Sequence, residues 1–118
     1  MKSATRAWVR KAESDRRVAG NETAFPHPEK DAEKYLKALC CERGLVVLRS
    51  HDLQRLLVYL LPHESSLRPF QRRLVSLSRY AVDYRYPGFS ASRRQMHAAL
   101  RHAERVRLKL RAILGLPP

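Results

Sequence analysis

Between its prolines and glycines this chain places apolar residues at steps of three and four, the spacing that lines up one face of an α-helix. The last segment shows it most plainly. From about Ser90, a stripe of Met96, Ala99, Leu100, Ala103, Val106, Leu110, Ile113 and Leu114 runs on until Gly115 and Pro117 stop it. A first helix is expected from about Ser3, a good N-cap, to Ala19, with Gly20 and Asn21 ending it. Its stripe is thin (Ala4, Ala7, Trp8, Ala12 and Val18 or Ala19), and Trp8 is its anchor. Pro26 and Pro28 force a loop, and Pro28 suits the first turn of a second helix. There Glu29, Asp31 and Glu33 meet the positive end of the helix dipole. Ala32, Tyr35, Leu36, Leu39 and Cys40 form its apolar face, and Gly44 is its C-cap.

A third helix begins at Ser50 as N-cap and stops at Pro62, burying Leu53, Leu56, Leu57, Leu60 and Leu61. Pro69 seeds a fourth, which runs to about Tyr84 with Phe70, Leu74, Leu77, Ala81 and Val82 inward. Tyr86-Pro87-Gly88 then makes the turn. Leu45–Leu48 is apolar but too short for a strand with no partner in view, so it reads as a packed connection. Long helices joined by short loops pack antiparallel. The expectation is one all-α domain over residues 1–118, an antiparallel up-and-down four-helix bundle with a fifth short helix.

The formal net charge of +13 is extreme for 118 residues. It is also uneven. Residues 1–67 carry 12 Lys/Arg against 9 Asp/Glu, whereas residues 68–118 carry 12 against only Asp83 and Glu104. Such an excess draws polyanions. It points to RNA, DNA, a nucleotide or an acidic partner protein, or to a solvated Arg-rich surface that serves solubility alone. Cys40 and Cys41 are the only cysteines, too close to bridge without strain and without a second pair for zinc. On a helix one faces the core and the other its edge, as in a reduced, cytoplasmic protein. Residues 1–17 lack the apolar run of a signal peptide, and Leu45–Leu48 and Leu56–Leu61 are too short to span a bilayer.

No glycine-rich phosphate loop, paired-histidine zinc helix or serine in a glycine elbow is present. Metal and acyl-transfer chemistry therefore have no support, and no cofactor is expected. Arg85 lies at the end of the fourth helix between Tyr84 and Tyr86. It can grip a phosphate bidentately while the rings shield it, or tie helices together by pairing with Asp15 or Glu33. His51 is a candidate acid–base group, or a loop-to-helix hydrogen bond to a backbone carbonyl. Asp52 reads as a helix-start residue. Lys34 and Lys37 share a helix side, either for phosphate or for surface salt bridges with Glu33 and Asp31. Arg94, Arg101, Arg105 and Lys109 line a separate face of the last helix, with no aromatic residue interleaved.

Taken in order, several segments resemble the HEPN family of small helical domains. They are Trp8, Ala12 and Asp15, the run Glu33–Leu39, His51-Asp52-Leu53, Arg85-Tyr86-Pro87, and Ala99, Ala103 and Val106. The resemblance covers the chain from Trp8 to Leu114. It implies an antiparallel helical bundle, usually a homodimer with a groove at the interface, that binds nucleotides or works with a nucleotidyltransferase partner. Other members are metal-independent ribonucleases, some of them toxins of toxin–antitoxin pairs. Those carry an arginine followed, after four to six residues, by a histidine. Here none of His27, His51, His63, His97 and His102 has an arginine five to seven positions before it. Glu29 and Lys30 stand where the family commonly has a glutamine pair, while His27 keeps the family's histidine position between two prolines.

The resulting expectation is a non-catalytic HEPN-type module, homodimeric, that binds a nucleotide, RNA or a nucleotidyltransferase partner. Arg85, Tyr86, His51, Lys34, Lys37 and His27 would form its anion-accepting groove. The alternatives are a divergent ribonuclease toxin and a purely structural interaction domain.

Overall fold

The computed structural model describes residues 1–19, 27–84 and 93–118. These residues form five α-helices and one 3₁₀ turn, with no strand among them: α1 Ser3–Ala19, α2 Pro28–Glu42, α3 Leu53–Leu60, a 3₁₀ segment Ser65–Phe70, α4 Gln71–Tyr84 and α5 Arg93–Ile113. The helical periodicity of the sequence is thus realised as an all-α architecture. Helix α2 is its hub and touches α1, α3, α4 and α5.

Two glycines close helices as their positions require. Gly44 (φ 71°) and Gly115 (φ 74°) take the left-handed conformation. Gly44 N–H donates to the Cys41 carbonyl and Leu45 N–H to the Cys40 carbonyl. Gly115 and Leu116 repeat the pattern onto Ala112 and Arg111. These paired bonds are the Schellman closure, satisfying carbonyls that the helix leaves open.

The helix starts differ in detail from expectation. For α1, the Lys2 carbonyl accepts the first helical bond from Arg6 N–H, so the cap falls on Lys2 rather than Ser3. For α3 the cap is Asp52, not Ser50: its carboxylate accepts from Gln54 N–H at 3.0 Å and Arg55 N–H at 3.3 Å. An ionised side chain outcompetes a hydroxyl at a dipole's positive end. The fourth helix starts at Gln71, because Pro69 belongs to the preceding 3₁₀ segment.

The core is largely leucine. Leu36, Leu39, Leu53, Leu56, Leu57, Leu60, Leu67, Leu74, Leu77 and Leu110 are all 1% exposed or less, and burying each such side chain contributes about 1.5–3 kcal/mol. Cys40 is buried and Cys41 half-buried, as a helical pair must be. Leu45, Val47 and Leu48 pack on the core as an irregular connection, held by Tyr59 Oη donating to the Val46 carbonyl at 2.8 Å. Three stripes are displaced from expectation. On α1 the inward residues are Thr5, Val9 and Ala12, with Trp8 at their edge. On α4 Tyr80 points inward and Val82 is exposed. On α2 burial reaches well beyond the apolar face: Glu29, Asp31, Glu33 and Lys37 are buried with it, while Lys30 stays exposed and Lys34 half-buried. A central helix has little solvent side to give its charges.

Candidate functional site: charged hubs on the central helix

Burial of α2 obliges its charges to find partners, because an unpaired ion out of water costs several kcal/mol. Glu33 is the first hub. Its Oε1 accepts from His51 Nδ1 at 2.9 Å, and its Oε2 accepts from Lys37 Nζ at 3.0 Å and Lys34 Nζ at 3.2 Å. Burial pushes the Glu33 carboxyl up. The hydrogen bonds from His51 and Lys37 and the charge of Lys34 outweigh it, so the group lies below its ordinary value. Lys37 is as buried as its partner, and its ammonium lies 5.6 Å from the Trp8 ring centroid, with Lys11 at 4.7 Å. Both distances are within cation–π range.

The two lysines therefore pair with Glu33 alone, leaving Asp31 without a lysine. The pairing is internal rather than on the surface. His51 likewise bonds a carboxylate, where a backbone carbonyl was the simpler expectation. Since a carboxylate only accepts, Nδ1 is the donor in this bond. The buried carboxylate thus positions a ring whose side chain is 80% exposed and faces solvent.

Glu13 is the second hub. It accepts from Arg107 Nε at 2.8 Å and Nη2 at 3.1 Å, and from the Tyr35 hydroxyl. Arg111 Nη1 donates to Tyr35 Oη at 2.9 Å. Burial opposes ionisation of Glu13, yet the Arg107 and Tyr35 bonds hold it at about 2. Arg107 is raised in turn, chiefly by its bond to Glu13, and Tyr35 is pushed up to about 12, by burial first and then by Glu13. Glu104 adds a second tie between α5 and α1, accepting from Arg107 and Arg16 at 3.1 Å each. Asp31 belongs to neither hub. It is 2% exposed, its Oδ1 has no hydrogen-bond partner, and burial reinforced by the Glu13 charge raises it to about 8. It lines a depression of about 550 Å³ with Arg16, Arg17 and Arg101.

The larger opening, about 840 Å³, lies beside the Glu33 hub. Lys30, Lys34 and His51 supply its donors, and Asp15, Glu29 and Ser78 line it too. Each of the last three has a buried oxygen with no hydrogen-bond partner. The structure thus brings Lys34 and His51 onto one cleft and leaves Lys37 outside it, turned toward Trp8. His27 is 3.1 Å from Glu29 Oε1, next to the cleft rather than in its lining. Arg85 and Tyr86 lie outside the described residues. Sequence reasoning missed Asp15, Glu29 and Ser78 as cleft residues, because they come from three different helices, α1, α2 and α4, and no spacing along the chain joins them.

Among the described residues no three His, Cys, Asp or Glu side chains converge as a metal site, and no helix is long and apolar enough to cross a membrane. No curated protein and no solved structure matches this chain. The model of the HEPN domain does match, over residues 5–113. That span takes in both hubs, the cleft and all five helices but for the first two residues of α1, and the chain belongs to the HEPN domain family.

Proposed function

We propose that this protein is a non-catalytic HEPN module that binds a nucleotide in the cleft beside Glu33, acting as a homodimer alongside a nucleotidyltransferase partner. The family membership makes a nucleotide- or RNA-related role the starting point. The observation that carries the finer reading is the composition of the cleft. One side offers donors, since each lysine ammonium has three N–H groups and Lys34 uses only one on Glu33. The other offers oxygens of Asp15, Glu29 and Ser78 that lack a partner. A nucleotide presents phosphate oxygens at one end and amino or hydroxyl donors at the other, and so answers both. Arg85 and Tyr86 directly follow α4, whose Ala81 and Val82 line the same cleft, and we assign them to the phosphate end.

Titration calorimetry with a panel of ribonucleotides tests this. Lys34→Ala, His51→Ala and Arg85→Ala are each expected to weaken binding about tenfold, the loss of one charge-assisted hydrogen bond, without lowering thermal stability much. Undiminished binding in all three folded variants would remove the cleft from consideration.

One observation favours the ribonuclease alternative. The fold brings Arg73 Nη1 to 3.2 Å from His102 Nδ1, although the two are 29 residues apart in sequence. Burial, then the charges of Arg73 and Arg101, lower the His102 value and keep the ring neutral. Cleavage of mixed RNA by purified protein, abolished by His102→Ala, would replace the non-catalytic reading. RNA left intact at micromolar protein retains it.

A further inference from the structure

The four cations noted on the last helix gain a context that the sequence did not show. Arg101, Arg105 and Lys109 follow one another at i, i+4 and i+8 on α5, about 6 Å apart along the helix axis. Arg94 continues the row two turns earlier. Beside Arg105 and Lys109 the fold opens a groove of about 480 Å³, closed on its far side by Phe70, Pro69 and Arg73. Phe70 comes from the end of the 3₁₀ segment and packs partly on the core, leaving the rest of its ring to the groove. An aromatic side chain thus shares the groove with cations from two helices, α4 and α5.

The charges here are uncompensated. Neither Arg105 nor Lys109 has a carboxylate within ion-pair distance among the described residues, and the recorded partner of Arg73 is the neutral His102. Glu64 feels the Lys109 charge, but it is already bonded to Arg43 at 2.8 Å and to Ser66. This groove shares no lining residue with the cleft at Glu33.

We infer that the α4–α5 groove is a binding track for single-stranded RNA, with Arg73, Arg105 and Lys109 on successive phosphates and a base stacked on Phe70. A strand alternates negative charge with flat π-faces, which is the alternation this groove presents. An acidic peptide would use the cations and leave the ring without a role. The inference goes beyond the proposed function: it rests on the nucleotide- or RNA-related role of the family for RNA over DNA, and it assigns the polynucleotide to a surface separate from the nucleotide cleft.

The test is fluorescence anisotropy of labelled oligouridine titrated with the full chain across a range of salt. The double variant Arg105→Glu, Lys109→Glu is expected to lose at least about tenfold in affinity and to flatten the log–log salt slope by about 1.4, two phosphate contacts at about 0.7 each on a single strand. It should bind mononucleotide as the parent does. Phe70→Leu, which keeps the apolar packing, is expected to lose about tenfold with the salt slope unchanged, because stacking releases no counterions. Circular dichroism confirms that each variant is folded.

Parent-like oligouridine binding by the double variant overturns the inference. So does binding lost in His51→Ala but kept in the double variant, which would place the strand in the cleft and leave that reading standing. Oligoglutamate competing as well as oligouridine, or single-stranded DNA binding more tightly than RNA, would reassign the groove to another partner.

Discussion

Lys37 and Lys109 are both lysines on long helices, and their surroundings are opposite. Lys37 is 7% exposed, hydrogen-bonded to Glu33 and set against the Trp8 ring. Lys109 lines an open groove with no carboxylate at ion-pair distance among the described residues. The first charge serves the fold: its desolvation is offset by an acid that would otherwise be stranded on the central helix. The second adds to a positive field with no ion-pair partner among the described residues. The same contrast divides α5 itself. Arg107 and Arg111 turn in to Glu13 and Tyr35, while Arg94, Arg101 and Arg105 stay exposed. Part of the positive excess of residues 68–118 is therefore structural.

The contrast is open to attack at several points. Glu33→Ala should have the largest effect. It leaves buried Lys37 unpaired at a cost of about 3–5 kcal/mol, and replacing Glu33 and Lys37 together by methionine should recover most of it. Urea denaturation of the single and double variants measures both, and equal losses in the two would mean that the ion pair is not what matters there.

Glu13→Gln should cost about 2 kcal/mol at neutral pH, the range of hydrogen bonds to a charged group. The sign of its pH dependence follows from the lowered value. The contribution of Glu13 is fully present above the ordinary 4.5 and is lost as pH falls through about 2. Melts over that window should therefore show a shallower acid slope in the variant, and an unchanged slope would count against the Arg107 bond as its source.

Asp31 works in the opposite direction. Its folded value of about 8 exceeds the ordinary 3.8, so the unfolded chain gives up this proton first and stability falls as pH rises between the two. Asp31→Asn should match the parent below the ordinary 3.8, where both states hold the proton, and exceed it by at least about 1–2 kcal/mol near pH 8, roughly the cost of an unsatisfied buried acceptor. Equal melting temperatures at the higher pH would show that Asp31 has a partner in solution. The smallest effect is expected on the outward face. Arg105→Ala should change stability by less than about 0.5 kcal/mol, and a larger loss would mean that the basic row is structural after all.

Much of this architecture was legible from the residues alone. The three-and-four spacing on α5, Pro28 at the start of α2 and Gly44 and Gly115 at helix ends are local signals, and each acts within a turn or two of the chain. The shared face of Ala32, Tyr35, Leu36, Leu39 and Cys40 was equally plain, since periodicity alone decides which side of a helix is apolar. The candidate site was legible only in its members. Lys34 and His51 stood out as polar groups near helix starts, yet nothing in the spacing joins His51 to Glu33, or leads to the partnerless oxygens of Asp15, Glu29 and Ser78. Ser50 as cap, Ala4 and Ala7 as core and Val82 as inward all failed for one reason. A helix's apolar arc can rotate by a residue when its neighbours demand it, and Asp52 was the stronger cap.

By itself the sequence determined the helices, the glycine closures of α2 and α5, the HEPN resemblance and the bias of charge toward residues 68–118, because capping, breaking and periodicity are short-range and composition is only a sum. The tertiary structure alone decided what each charge is for. Making α2 the hub buried Glu33 and Asp31 on a helix that looked half-solvated, drew Lys37 and Arg107 inward as counter-ions, and set Phe70 beside Arg105 and Lys109. Those pairings depend on which surfaces lose water when distant segments meet, and dielectric environment is a property of the packed molecule rather than of any stretch of chain.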